Sequence, residues 1–289
     1  PTYENPRGFS IRFLFAKLRV KPRNVSYTQP LPIMFKKLSN IKSIDENYQL
    51  LDDLIQPYIS ELITDRIKNR QKILELCHLG KFLIFFDGKY RINEVTEKPD
   101  FIITDGINRI GLEHQIIVEF DAKAREGFFQ NIFDQAEEIL KTDSDLPNFL
   151  ANCYVMPYAN FKINQKEELI QTIREVVKEY ILNDKLIENP IIDRISKMPH
   201  SQKNINLNLG AWWTKDITKK LIEDAIKNKQ EKLLNYRKEG IEEQWLLIVI
   251  GNTGDSSYDM DKNLKADINT DFSKVFILED FRNNLYQLK

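Results

Sequence analysis

Cysteine and histidine are scarce in this chain, and their scarcity removes several chemistries at once. Of 289 residues, two are cysteine (Cys77 and Cys153) and three are histidine (His78, His114 and His200). The three histidines are scattered, and no Cys/His spacing suits a zinc site. Both cysteines lie inside apolar runs and read as small core residues of a reducing compartment. No apolar run approaches the roughly 18–20 residues that span a bilayer. No signal peptide is visible in the chain, which opens on Pro1 rather than Met, and the expectation is a soluble cytoplasmic protein with no membrane partner. Internal repeats and low-complexity tracts are lacking too. So are a Gly-x-Ser-x-Gly elbow and a phosphate loop: "GNTGDSS" at 251–257 has two glycines after an apolar run but no following Lys-Ser/Thr. "DMDKN" at 259–263 starts like a calcium loop, then carries Leu264 where glycine belongs and Thr270 where the closing glutamate belongs.

What is present is a chain able to fold. Its hydrophobic content is 42% and its charged content 29%, with a formal net charge of -1. A core of that size fits one large domain or two small ones, and the molecule as a whole is not a basic nucleic-acid binder. The charge is uneven, however. From Pro1 to Lys42 there are nine Lys/Arg against one acid, Glu4. Such an arm suits phosphate contacts or a solvated extension. Prolines at 22, 30 and 32 mark a linker behind it, so 1–43 is read as a basic extension.

Helical periodicity runs from about 44 to 80, with a break expected at Pro57. "KFLIFFDGKYRINEV" reads as strand, Asp87-Gly88 turn and strand, and "DFIIT" with "RIGLEHQIIVEF" as a hairpin. A helix follows with apolar residues at 129, 132, 133, 136 and 140, then the strand "FLANCYVMP". Helices at about 165–188 and 216–238 and strands at "NINLNL", "QWLLIVI" and "KVFILED" complete an α/β alternation. The pieces are 1–43, a core at 44–160 and a C-terminal α/β part at 161–289 continuous with that core.

One segment carries a chemical signal. Strand side chains alternate faces, so Ile110, Leu112, His114, Ile116, Val118 and Phe120 share a core face while Gly111, Glu113, Gln115, Ile117 and Glu119 share the other. Glu113 and Gln115 then stand about 6.5–7 Å apart along one face. Asp100 opens the neighbouring strand, and the hairpin brings it towards Glu113. Two carboxylates meeting at one spot suit a hard divalent cation such as Mg2+. An exposed sheet face with ordinary polar residues is the other reading.

Pro99-Asp100 followed by Glu113-His114-Gln115, with the second acid inside an apolar strand, resembles the PD-(D/E)XK nuclease superfamily. The resemblance spans 44–157 of the 289 residues. It implies a restriction-endonuclease-like core (helix, three strands, helix, strand) with the additional C-terminal half packed on it. It further implies phosphodiester hydrolysis, more readily of DNA than of RNA, with Mg2+ or Mn2+ as cofactor and bacterial defence or DNA processing as the setting. Asp100 and Glu113 would ligate the metal, joined by the backbone carbonyl of His114. The superfamily's lysine position falls on Gln115, which hydrogen-bonds but brings no charge. Lys123 and Arg125, at the start of the following helix, are candidates for a replacement cation. Arg66 and Arg70 fall on the apolar stripe of the first helix, where they need a phosphate or carboxylate partner or must snorkel. The second half is expected to serve substrate choice, self-association or a larger defence complex. The alternative function is a nuclease-like fold without turnover that binds nucleic acid or protein. The Trp212-Trp213 pair suits core packing or base stacking, and the lysines of 216–238 (Lys219, Lys220, Lys227, Lys229 and Lys232) read as a solvated face, with a phosphate-contacting strip as the other reading.

Overall fold

A computed structural model of the chain describes residues 36–40, 42–157, 159, 163–210, 214–233, 240–241, 243–251, 254–261, 263–264 and 268–289. The basic arm up to residue 35 and the Trp212-Trp213 pair lie outside them. The chain divides into two compact units. The first takes Pro1–Val118, Lys215–Thr253 and Ser257–Lys289; the second takes Glu119–Thr214 and Gly254–Ser256.

The first unit begins with β1 (Lys36–Leu38) and α1 (Ile44–Leu62). Ser43 starts α1 through a capping box: its side chain accepts from the Glu46 N–H at 3.2 Å and Glu46 accepts from the Ser43 N–H at 2.8 Å. The break expected at Pro57 occurs later. Proline inside a helix forfeits one backbone bond, yet Leu51, Ile55 and Ile59 are buried around it and hold α1 together to Leu62. A single 3-10 turn at Ile63–Asp65 separates it from α2 (Arg66–Leu83), and the Asp65 carboxylate caps α2 by accepting from the Lys68 N–H at 3.1 Å. α2 thus absorbs "KFL", which reads as strand in sequence. The close pairing of α1 and α2 depends on Gly80, where a methyl group would collide with Leu51 and Ile55.

Then come β2 (Arg91–Val95), β3 (Phe101–Thr104) and β4 (Arg109–Ile116), paired antiparallel in turn. The turn between β3 and β4 is built by Asp105, whose carboxylate accepts from the N–H groups of Ile107 at 3.0 Å and Asn108 at 2.8 Å, with Gly106 at φ 95°.

The second unit holds α3 (Phe120–Lys141), β5 (Phe149–Val155), α4 (Lys166–Asn183), β6 (Ile192–Pro199) and β7 (Lys203–Asn208). Its three strands are ordered β6-β5-β7. The stripe expected on α3 is realised: Phe129, Ile132, Phe133, Ala136 and Leu140 are all buried, packing with Phe149, Ala151, Cys153 and Val155 of β5 and with the apolar face of α4.

The chain returns to the first unit with β8 (Lys215–Asp216), α5 (Lys219–Leu233), β9 (Glu243–Ile250), β10 (Tyr258–Asp259), β11 (Lys274–Glu279) and β12 (Asn284–Gln287). Seven strands form one mixed sheet in the order β1-β12-β11-β9-β4-β3-β2. β9 lies parallel to both β4 and β11. On one face Phe101, Leu112, Trp245 and Phe276 pack with Leu51, Ile55, Leu79 and Phe82 of α1 and α2. On the other, Leu246, Ile248 and Ile277 pack with Ile222, Ala225, Ile226 and Leu233 of α5.

The chain is a mixed α/β protein, but the expected run of helix, three strands, helix, strand over 44–160 does not share one sheet. The strand expected after α3, now β5, belongs to another sheet, and β9 is the one beside β4. The difference has a physical reason. A central parallel strand is covered on both faces and must be apolar throughout, as "WLLIVI" is; β5 buries only every second residue. The C-terminal part is divided as well, with 161–214 in the second unit and 215–289, except Gly254–Ser256, in the first. No helix among the described residues is long and apolar enough to cross a membrane.

Candidate active site

Strand pairing sets Asp100 against Glu113. Phe101 of β3 pairs with Leu112 of β4, so Asp100, one residue earlier, comes beside Glu113 and His114 in the interior of β4. Asp100 Oδ2 accepts from the His114 N–H at 2.8 Å, which pins its carboxylate at the strand end. Leu112 faces the α1/α2 side with its partner Trp245, so Glu113, partnered with Leu246, faces α5. The alternation read from sequence holds over Ile110–Ile116; beyond it the strand ends, and Phe120, expected on the core face, is exposed at the start of α3.

α5 supplies what the sequence reading lacked. Lys229 Nζ donates to Asp100 Oδ2 at 2.9 Å and to Glu113 Oε2 at 2.7 Å. One ammonium thus bridges two carboxylates that come from different strands. The cluster is largely out of water: the side chains of Glu113, Lys229 and Asp100 are 1%, 12% and 22% exposed. Glu113 Oε1 is buried with no hydrogen-bond partner among the described residues.

Burial pushes the Glu113 carboxyl up to about 7, the Asp100 charge adds to the rise, and Lys229 opposes both. Burial works against the Lys229 ammonium, but its hydrogen bond to Glu113 and the charges of Asp100 and Glu113 outweigh that penalty and hold its pKa above the ordinary lysine value. Lys229 is the cation that bridges the two acids.

Comparison of the chain with protein-family models, curated proteins and solved structures found no match. The site therefore stands on its own geometry.

Gln115 shares the Glu113 face, paired with Ile248, but its side-chain amide donates to the Ile116 carbonyl at 2.9 Å. The His114 ring points to the opposite face, where it stacks on His78 with centroids 5.2 Å apart and shares a 3.0 Å hydrogen bond between Nε2 and His78 Nδ1. Lys123 and Arg125 lie on α3 in the second unit. Lys123 pairs with Glu126 at 3.2 Å, and Arg125 covers the Phe129 ring at 5.0 Å. Arg70 is exposed rather than on the apolar stripe, because the turn at Ile63–Asp65 breaks the phase of a wheel drawn across α1 and α2. The Arg66 side chain lies outside the described residues.

Lys229 is the residue that sequence reasoning passed over. Its signal was positional: Ile222, Ala225, Ile226 and Leu233 define the buried stripe of α5, and Lys229 falls on that stripe. Lys219, Lys220, Lys227 and Lys232 are exposed, as a solvated face requires.

Among the described residues, no group of three or more His, Cys, Asp or Glu side chains is placed to hold a metal ion. The fit to a divalent cation rests on two carboxylates. Asp100 and Glu113 converge, both offer hard oxygens, and Glu113 Oε1 has unshared capacity in a buried position.

A second buried polar group sits on the α1/α2 side. Lys81, fully buried, donates to Asp280 Oδ1 at 2.5 Å, and His78 Nε2 lies 3.7 Å from the same oxygen. Burial lowers the His78 pKa to about 4 against the pull of Asp280, so its ring is neutral at neutral pH. A cavity of about 20 Å³ adjoins it, lined by Leu74, Ile250, Gly251 and Ser257 among others.

Proposed function

We propose that the chain is a metal-dependent phosphodiesterase of the nuclease type, acting on DNA with Mg2+ or Mn2+. The observation that carries this reading is the convergence of Asp100, Glu113 and Lys229. An acid at a strand entry, an acid inside the next strand and a cation at the same point are the elements that the PD-(D/E)XK resemblance implies, with lysine delivered from α5 instead of two residues after the glutamate. The run α2, β2, β3, β4, α5, β9 within the first unit supports the same reading. It is helix, three strands, helix, strand once the second unit is set aside as an insertion and the two-residue β8, which pairs only with β10 among the described residues, is left out of the count.

Asp100 and Glu113 would hold the cation. Bound there, Mg2+ supplies Lewis-acid polarisation of a phosphoryl oxygen and a more acidic water. The His114 N–H keeps Asp100 oriented. Burial keeps Glu113 out of competing solvent. Lys229 supplies a donor and a positive charge for the anionic phosphate, a role that Gln115, bonded to the Ile116 carbonyl, leaves open.

A binding module without turnover is the second reading. It is favoured by Lys229 itself, which already compensates both carboxylates without any metal. Incubation with plasmid and single-stranded DNA in Mg2+, Mn2+ or EDTA separates the two. Metal-dependent cleavage that disappears in Asp100→Ala and Glu113→Ala supports the enzyme. DNA binding without cleavage, unaffected by those changes, supports the module.

A further inference from the structure

Lys229 occupies the point where the two carboxylates converge. Its Nζ is 2.9 Å from Asp100 Oδ2 and 2.7 Å from Glu113 Oε2. A hard divalent cation shared by the same carboxylates would need oxygens at about 2.0–2.1 Å around a centre in the same small space. Asp100 Oδ2 is also committed to the His114 N–H, so it has little freedom to turn towards a second position. The surroundings are poor in water, with Glu113 1% and Lys229 12% exposed, so repulsion between an ammonium and a dication is weakly screened.

We propose that Lys229 is the resident counter-ion of the Asp100–Glu113 pair and that a divalent cation enters by displacing it, so that ammonium and metal compete for the same two carboxylates. The inference rests on the metal-site reading above and adds an order of events to it. Without metal, the lysine holds the carboxylates together and keeps the buried pair from repelling itself. With metal, the ammonium is released on the same side of the sheet, tethered by α5, and is available to an anionic phosphate. Glu113 Oε1, buried and without a partner among the described residues, is the oxygen a cation can engage before the lysine has left.

The test reads metal binding, not cleavage. Mn2+ affinity is measured by isothermal titration calorimetry, with no nucleic acid present, on the full chain and on Lys229→Met and Lys229→Gln. Far-UV circular dichroism verifies that each is folded, and the glutamine variant stands in if methionine disrupts α5. Competition predicts that both variants bind Mn2+ more tightly than the parent protein, by at least about tenfold, because a neighbouring positive charge has been removed. The gain should vanish when Asp100→Asn is added to Lys229→Met. Unchanged or weaker binding in both lysine variants, with the parent protein still binding, overturns the competition and leaves the metal site standing. A gain that persists with Asp100→Asn also overturns it, since the metal would then sit elsewhere. Failure of the parent protein and both lysine variants to bind overturns the competition and the metal-site reading together.

Discussion

Buried charge decides most at the scale of single residues. Lys81 and Asp280 form an ion pair whose side chains are 0% and 8% exposed. Removing one partner leaves the other charged and desolvated, which costs far more than the pair itself contributes. Lys81→Met is therefore expected to lower unfolding free energy by about 3–5 kcal/mol in urea melts, and a loss below 1 kcal/mol would contradict the pairing. The cysteines give a contrasting case. Burial pushes the Cys77 thiol up to about 11 and the Cys153 thiol up to about 12. Both are free and buried, as their apolar sequence settings indicate. Neither is expected to react with iodoacetamide at pH 8 in the native protein, while both should label in denaturant. Rapid native labelling of either thiol would show that its surroundings open.

For the elements, legibility followed periodicity. The α3 stripe and the alternating faces of β4 were readable because each repeats over several residues, and those repeats placed Glu113 and Gln115 together. "KFLIFF" was not, since a short apolar run carries no period to separate helix from strand; here it ends α2. The Pro57 break was misplaced because burial of Leu51, Ile55 and Ile59 outweighs a single lost backbone bond. Lys229 was hidden by its neighbours: four exposed lysines on α5 share its composition, and only its phase with Ile222, Ala225, Ile226 and Leu233 sets it apart. The α1–α2 contact offers a direct check on packing. Gly80→Val places methyl groups against Leu51 and Ile55, both fully buried. A destabilisation of about 1–3 kcal/mol is expected from overpacking, seen as a lower denaturation midpoint. An unchanged midpoint would mean that the helices are less closely packed than described.

At the scale of the whole molecule, the site depends on contacts that no local pattern announces. Asp100 and Glu113 belong to one hairpin, but Lys229 arrives on α5 after the entire 119–214 segment, and β9 follows to pair with β4. Pairing over such a separation is decided by which strand can be buried on both faces, a property of the assembled sheet. The approach of Asp100 to Glu113 was therefore legible in sequence, whereas the Lys229 contact and the pairing of β9 with β4 were not. This arrangement also places the proposed chemistry in the first unit, with Asp100, Glu113 and Lys229 all inside it. The most direct test of the central claim is a plasmid-nicking assay with Mg2+ or Mn2+, comparing the parent protein with Asp100→Ala, Glu113→Ala and Lys229→Met. Metal-dependent cleavage by the parent is expected, with no cleavage by the acid variants and a loss of about 100- to 1000-fold in Lys229→Met. Cleavage that survives in EDTA, or in the Asp100 and Glu113 variants, would contradict the account.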